Sequence, residues 1–365
     1  FKDPASGQTW KEMARQMRDH YNAGVDPRAV TTNPGLVPNN PFIENLMPGM
    51  TNRFFNGSAT ANYYNLLWGQ NAGSDADAMH VVDRVRTARD PNCMSSGGCY
   101  TFYPRQSSGA SMWTNTGFSS FNGGTLSIRR PFSRGLSFDF NYTLSHAIDN
   151  GGGPEAGGGT HAGIMLNPFD YRAFRGSSDF DIRHNVNANA LYELPFGKGK
   201  ALFSNAPGWA NQIVGGWQLS TIMRYRSGLP TAIAYTGLWP TNFSFNTIAY
   251  PVDPNYSSAI GFNEFGNPSV FSSVGEAANW KPMYPGEVGA RAPIRLDDLI
   301  NFDMAVAKAF VMPWEGHRIQ FRAEAFNAFN NVTFLNANLD ANSPSNFGQF
   351  NTAGPPRVMQ FALRY

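Results

Sequence analysis

A chain of 365 residues with a formal net charge of +2 at pH 7 has room for two ordinary domains or one large barrel, and it lacks the basic field that a nucleic-acid partner requires. Only 15% of its residues are charged, well below the roughly 25% of soluble domains, while 14% are aromatic, with 29 Phe, 14 Tyr and 8 Trp. No apolar run approaches the ~18 residues of a spanning helix, and mean hydropathy is −0.35, so any membrane contact must be made by strands.

The 37 Gly and 25 Pro suit many turns and long irregular loops, which makes an all-β fold the expectation. The chain opens at Phe1 with no initiator Met and no charged or apolar leader, as expected of a mature or incomplete chain. Residues 1–118 are rich in Asn, Pro and Gly and hold two short amphipathic helical patches. Thr9 with Glu12 makes a capping box ahead of Met13, Met17 and Tyr21; Ser74 with Asp77 does the same ahead of Met79, Val82 and Val85. Within this region, after the second patch, lie the two cysteines, Cys93 and Cys99, in a Gly/Ser loop whose spacing suits a small disulfide in an oxidising compartment. A metal site would want two further ligands nearby, and the segment offers none.

From about Ser120 the period becomes two. In Leu136 to Ser145, the apolar Leu136, Phe138, Phe140, Tyr142 and Leu144 oppose Ser137, Asp139, Asn141, Thr143 and Ser145. Ile182 to Leu194 repeats the pattern, with His184 as a polar intruder on the apolar side. Trp217, Leu219, Thr221, Met223 and Tyr225 oppose Gln218, Ser220, Arg224 and Arg226; Ile300 to Phe310 alternates likewise, interrupted by Lys308. With Thr125 to Phe132, Ile319 to Phe329 and Arg357 to Tyr365, seven strands are predicted. A further strand around Asn62 to Trp68 is the alternative count.

Short and long connections alternate strictly. Ser133 to Gly135, 196–212 and Pro313 to Gly316 are short; 149–180, 236–298 and 330–355 are long. Outer-membrane barrels keep short turns at the periplasmic rim and long loops outside, so the alternation predicts residues 1–118 and the long loops outside and Tyr365 in the periplasm. Seven strands do not close a bacterial barrel, which takes an even number of about eight or more, and an open edge in lipid would leave backbone groups unpaired. The expected fold is therefore an antiparallel transmembrane β-barrel of which residues 119–365 supply a C-terminal arc.

Several strings then become recognisable. RRPFSRGLSFDFNYTLSHAID (129–149), NPFDYRAFRGSSDFDIRHNVNANALYELPFGKGK (167–200), GGWQLSTIMRYRSGLP (215–230), HRIQFRAEAFNAFNNVTF (317–334) and AGPPRVMQFALRY (353–365) together resemble the C-terminal barrel of TonB-dependent, Oar-like receptors, abundant in Acidobacteria and their relatives. The likeness covers about two thirds of the chain, in order and to its end. It implies an energised Gram-negative transporter with a barrel of about 22 or more strands and a plug in the lumen. It also implies a carboxypeptidase-regulatory-like N-terminal domain and a TonB box, neither present here. The resemblance departs at the last residue, since such chains commonly finish two residues later in an acidic residue and Phe; either Tyr365 is the terminal aromatic or a short tail follows. Met359, Phe361, Leu363 and Tyr365 alternate as the signal read by the barrel-assembly machinery in this class.

Catalytic chemistry is not indicated. GGGPEAGGGT (151–160) lacks the Gly-Lys-Ser/Thr end of a phosphate cradle and reads as a loop; His146, His161 and His184 lack zinc spacing; no Gly-x-Ser-x-Gly elbow occurs. Five Asn-x-Ser/Thr sequons begin at Asn56, Asn141, Asn242, Asn255 and Asn331, and in a bacterial chain they are incidental. No cofactor and no enzyme activity is expected. Asp139, Arg183, Glu193, Arg224, Arg226, Asp303, Arg322 and Glu324 are candidates for the lumen face, either solvating it and holding a plug or lining a substrate path. Tyr63, Tyr64, Trp68, Trp113, Trp239, Trp280 and Tyr284 are candidates for ligand recognition on surface loops, where binding residues concentrate, or for gluing loops together. Expected partners are outer-membrane lipid, the assembly machinery, TonB through an absent region, and an unknown extracellular ligand. Three functions fit: TonB-dependent uptake of a bulky nutrient, a structural or secretion-linked outer-membrane role without import, and a soluble all-β binding module.

Overall fold

The computed structural model describes residues 2–365 except 72, 74–77, 84–101, 103–114, 152–169, 236–247, 283–288, 313 and 315–316. Cys93, Cys99, Trp113, Trp239, Tyr284, His161 and the Ser74/Asp77 cap lie outside the described residues.

The N-terminal part is helical, with its own core. Helix α1 (Trp10–Asn22) starts at the capping box, where the Glu12 amide donates to Thr9 Oγ1 at 3.3 Å and the Thr9 amide to Glu12 at 2.7 Å. Helices α2 (Pro41–Leu46) and α3 (Ala59–Tyr64) are one-turn-and-a-half pieces begun by Asn40 and Ser58 caps, with Pro41 preset for the first helical position. Pattern reading misses both because six residues are too few for a helical period to show. The possible strand at Asn62 to Trp68 is instead the end of α3 running into a π-helical turn, Asn65–Gln70. Met13, Met17, Phe42, Ile43, Met47, Met50, Tyr63 and Tyr64 bury fully against one another.

Beyond it, seven long strands form a single antiparallel meander, each paired with its sequence neighbour. They are β1 (Ser119–Ser133), β2 (Leu136–Asp149), β3 (His184–Glu193), β4 (Trp217–Arg226), β5 (Leu299–Val311), β6 (Arg318–Phe326) and β7 (Val358–Arg364). Two residues join β1 to β2, Arg134 at φ 52° and Gly135 at φ 80°, the paired positive φ of a tight hairpin whose twist matches its strands. The next short connection, 194–216, contains helix α4 (Gly208–Val214), which alternation alone does not foresee.

Register fixes the faces. One row across the sheet reads Leu126, Tyr142, Val186, Tyr225, Ile300, and its neighbour Ile128, Phe140, Ala188, Met223, Phe302. One residue along each strand, the row is Ser127, Asn141, Asn187, Arg224, Asn301. A sheet with one apolar and one polar face and apolar side chains as open as Phe361 (64%) and Leu363 (73%) has no water-excluding layer over its apolar side. Among the described residues the sheet is not closed, β1 and β7 each pairing with one strand.

The long connections pack together beyond one rim. The two-residue ladder Gly176–Ser177 pairs with the end of β2, and Ile294–Arg295 with Pro230–Thr231. Ile233, Val270, Phe271, Trp280, Ile294 and Phe347, drawn from the second and third long connections, share one core in which Phe271 stacks on Phe347 at 5.2 Å. Phe174 of the first connection buries with Ala232 and Ile248 of the second. The described residues of the long connections thus form a folded cap, held by their own apolar side chains.

Candidate functional site

Two places gather polar groups: the polar face of the sheet and the seam where the cap meets the rim. On the polar face, register brings Asp139, Glu193, Arg224, Arg226, Asp303, Arg322 and Glu324 to the same side. Most are held in local pairs. Arg129 Nε donates to Asp139 at 2.9 Å, Lys200 Nζ to Glu193 at 3.0 Å, and Arg322 pairs with Glu324 two residues along its strand. Asp303 accepts from Asn301 Nδ2 at 2.9 Å and from the Asn327 amide at 3.0 Å, fixing the turn after β6. Arg224 stands beside Asn141, Asn187, Asn189 and Ser220 along a shallow groove. Amides, hydroxyls and a guanidinium in that arrangement can donate to and accept from a polar solute or a polar polypeptide.

The seam is built on two arginines from residues 289–298, a segment that sequence reading treated only as loop. Arg291, with 2% of its side chain exposed, pairs with Asp149 at the end of β2 and lies 3.6 Å from Asp179. Its guanidinium also donates to the carbonyls of Asp149 (3.0 Å) and Gly151 (3.2 Å) and lies 5.0 Å from the Phe174 ring centre. Arg295 pairs with Asp181 and donates to the carbonyls of Asp181 (3.0 Å) and Gly228 (2.9 Å). Planar forks with several donors are suited to clamping carboxylate and carbonyl together.

Asp181 is the hub, its side chain 1% exposed. It accepts from the Ala147 amide at 2.6 Å, and His146 Nδ1 lies 3.3 Å away. Burial pushes its carboxyl up, but the Ala147 amide, Arg295 and His146 together outweigh that and hold it below the usual carboxylate range. Arg183, expected on the lumen face, sits one residue before β3 and points its Nε to Asp181 at 4.0 Å. Asp297, where burial dominates over its bond from the Phe334 amide, is shifted the other way.

His184, the polar intruder, and His146 both have neighbours that place them structurally. His184 on the apolar face shares a 2.9 Å hydrogen bond between its Nδ1 and Tyr142 Oη, and His146 belongs to the Asp181 cluster. Among the described residues no group of three His, Cys, Asp or Glu could hold a metal.

Of the aromatic candidates, the four that are described take the packing alternative. Tyr63 and Tyr64 are fully buried, Tyr64 Oη donating to the Val25 carbonyl at 2.7 Å; Trp68 is 9% exposed beneath Tyr21, stacked at 4.0 Å. Trp280 is 3% exposed within the cap core. In these positions packing uses the rings. The seam residues Asp149, Asp179, Asp181, Arg291 and Arg295 are the ones sequence reasoning missed. Their signal was present as five charges at or between strand ends in a chain with few charges, but only folding brings 291 to 149.

Met359, Phe361, Leu363 and Tyr365 lie on one open side of β7 and its end, between 58% and 78% exposed. With the two-faced meander, the uncovered apolar side and the one-sided cap described, the comparisons bear directly on the fold. A family model described as an outer membrane beta barrel domain matches residues 45–360. No curated protein and no solved structure matches the chain. The match takes in all of β1 to β6 and enters β7, and the chain therefore belongs to the outer membrane beta barrel domain family and resides in the outer membrane.

Proposed function

We propose that this chain is the barrel portion of a TonB-dependent, Oar-like receptor that imports a bulky nutrient across the outer membrane. The observation that carries the reading is the polar face, whose rows of Asn, Ser and Arg run beneath a cap folded from all three long connections. A polar face whose strands end at a packed cap suits a receptor that captures a solute outside and passes it inward. The cap side is extracellular and the short-turn side periplasmic in this reading. The two edges of the sheet join further strands of a larger closed barrel, because backbone groups left open in lipid cost several kcal/mol each by general estimate, on the order of a hydrogen bond's desolvation.

The test is transport. A strain lacking the gene and a strain lacking TonB are compared for uptake of oligosaccharides, peptides and metal chelates as sole sources. Receptor function predicts the same substrate lost in both and regained on complementation of the first. Unaltered uptake in the gene deletion, together with a changed envelope or changed exported proteins, would instead favour a structural or secretion-linked role.

A further inference from the structure

Lys308 is the one cation on the apolar face of β5, and a lysine facing lipid is costly unless its head escapes or finds partners. It lies opposite Trp217 at the end of the strand that leads to the short connections. Its side chain is 2% exposed. The ammonium donates to the Gly215 carbonyl and, at 3.3 Å, to the Ala309 carbonyl, and stands 5.0 Å from the Phe310 ring centre and 5.7 Å from that of Trp217. Gly215 is the residue that ends α4. A cation at a helix C-terminus satisfies carbonyls that the helix leaves open and meets the negative end of its dipole.

Other contacts hold the same helix against the outward side. Trp217 Nε1 donates to the Ile213 carbonyl at 2.9 Å, Gln212 Nε2 to the Val311 carbonyl at 2.8 Å, and the Lys198 amide to Asn211 Oδ1 at 2.7 Å. Fastened this way, α4 leaves Trp209 (75% exposed) and Ile213 (63%) uncovered one turn apart. Leu202 (50%), Phe203 (64%) and, on the next short turn, Trp314 (65%) are uncovered as well. A water-facing turn has no reason to hold five such side chains open. The helix hangs from Lys308 and Trp217, residues of the apolar face that the family's membrane location assigns to lipid.

We infer that α4 is an interfacial helix, docked through Lys308 and Trp217, that inserts Trp209 and Ile213 into the headgroup–acyl boundary of the phospholipid bilayer at the short-turn rim. Trp favours that boundary, and apolar faces of surface helices sit about 5–10 Å into it. The exposed Lys198 and Lys200 beside it suit lipid phosphates, Lys200 while also pairing with Glu193. The inference rests on the barrel spanning a membrane and is independent of transport; only its assignment to the periplasmic leaflet follows the proposed orientation.

The experiment is depth-dependent fluorescence quenching. The whole protein and its Trp209→Phe variant are reconstituted in phosphatidylethanolamine–phosphatidylglycerol vesicles, and the difference between their emission is taken as the Trp209 signal. Lipids brominated near the headgroup should quench that signal more strongly than lipids brominated near the chain end, and aqueous iodide should quench it weakly. Strong iodide quenching with no effect of brominated lipid would overturn the inference, as would strongest quenching from the chain-end bromine or no response to either quencher. Trp209→Phe changes an exposed ring for a ring, and heat-dependent gel mobility confirms that both proteins are assembled. In Lys308→Met, undocking of α4 should shift the same signal toward iodide; an unchanged profile would remove Lys308 from the account.

Discussion

The helical N-terminal part and the sheet use the same residue types in opposite senses. In the first, Phe42, Tyr63 and Tyr64 are fully buried; in the second, Phe361 and Leu363 are more than three fifths exposed on an uncovered face. The helical part folds as a water-soluble core does, with apolar area removed from water by neighbouring side chains. The sheet relies on lipid for the same purpose, so its internal contacts need only specify register and separate the faces. The cap stands between them. It grows from the sheet but buries Phe271, Trp280 and Phe347 as a soluble domain would.

The strongest way to break that contrast is Phe42→Ala. Truncating a fully buried aromatic should cost about 3–5 kcal/mol, melting the helical signal in circular dichroism while heat-dependent gel mobility of the barrel stays unchanged. Loss of both together would show that the two parts do not fold independently. Arg291→Ala should come next, since removing one partner leaves the buried Asp149 carboxylate uncompensated, at a cost of about 3–5 kcal/mol confined to the seam. Limited proteolysis should then cut within 170–183 or 289–298 while the strands resist; protection equal to that of the parent chain would mean that the apolar cap core alone holds the loops.

Adjacent residues sharpen the difference between the faces. Met223 and Ile222 sit side by side on β4, pointing to the apolar and polar faces respectively. Met223→Lys should destabilise the assembled barrel by about 2–4 kcal/mol if it lies near the bilayer midplane. Ile222→Lys, facing the row of Asp139, Asn189 and Asp303, should change stability little. Urea unfolding in vesicles reads both, and equal effects would undo the face assignment. The smallest expected effect is acid loosening of the seam. Asp181 has a lowered folded-state value, so its stabilising contribution is complete above the unfolded carboxylate value of about 3.9 and fades as pH falls through the lower folded one. Proteolysis at the seam should therefore be unchanged from neutrality down to about pH 5 and rise only below about pH 4, whereas onset near pH 6 would exclude Asp181 as its source.

How much of this was readable in advance depends on the range of the interactions. Alternation places Asp139, Glu193, Arg224, Arg226, Asp303, Arg322 and Glu324 on one face because period two is a property of the strand itself, and the register sets them on the same side of the sheet. The Thr9 and Glu12 box is equally local. For Tyr63, Tyr64, Trp68 and Trp280 the choice between recognition and packing stayed open, because composition does not say whether an aromatic in a loop-like segment faces outward or is enclosed by a fold of its own. Arg183 shows the same limit on a smaller scale, having the right phase but turning to Asp181 just before the strand begins.

The order of strands, their two faces and the alternation of short and long connections were determined by the sequence, since each depends on neighbours within a few residues. Tertiary structure alone decided that the long connections form one cap, that Arg291 and Arg295 clamp it to β2 and the start of β3, and that Lys308 caps α4. Those contacts join groups 93 to 142 residues apart, and no local period encodes which of many buried charges will meet.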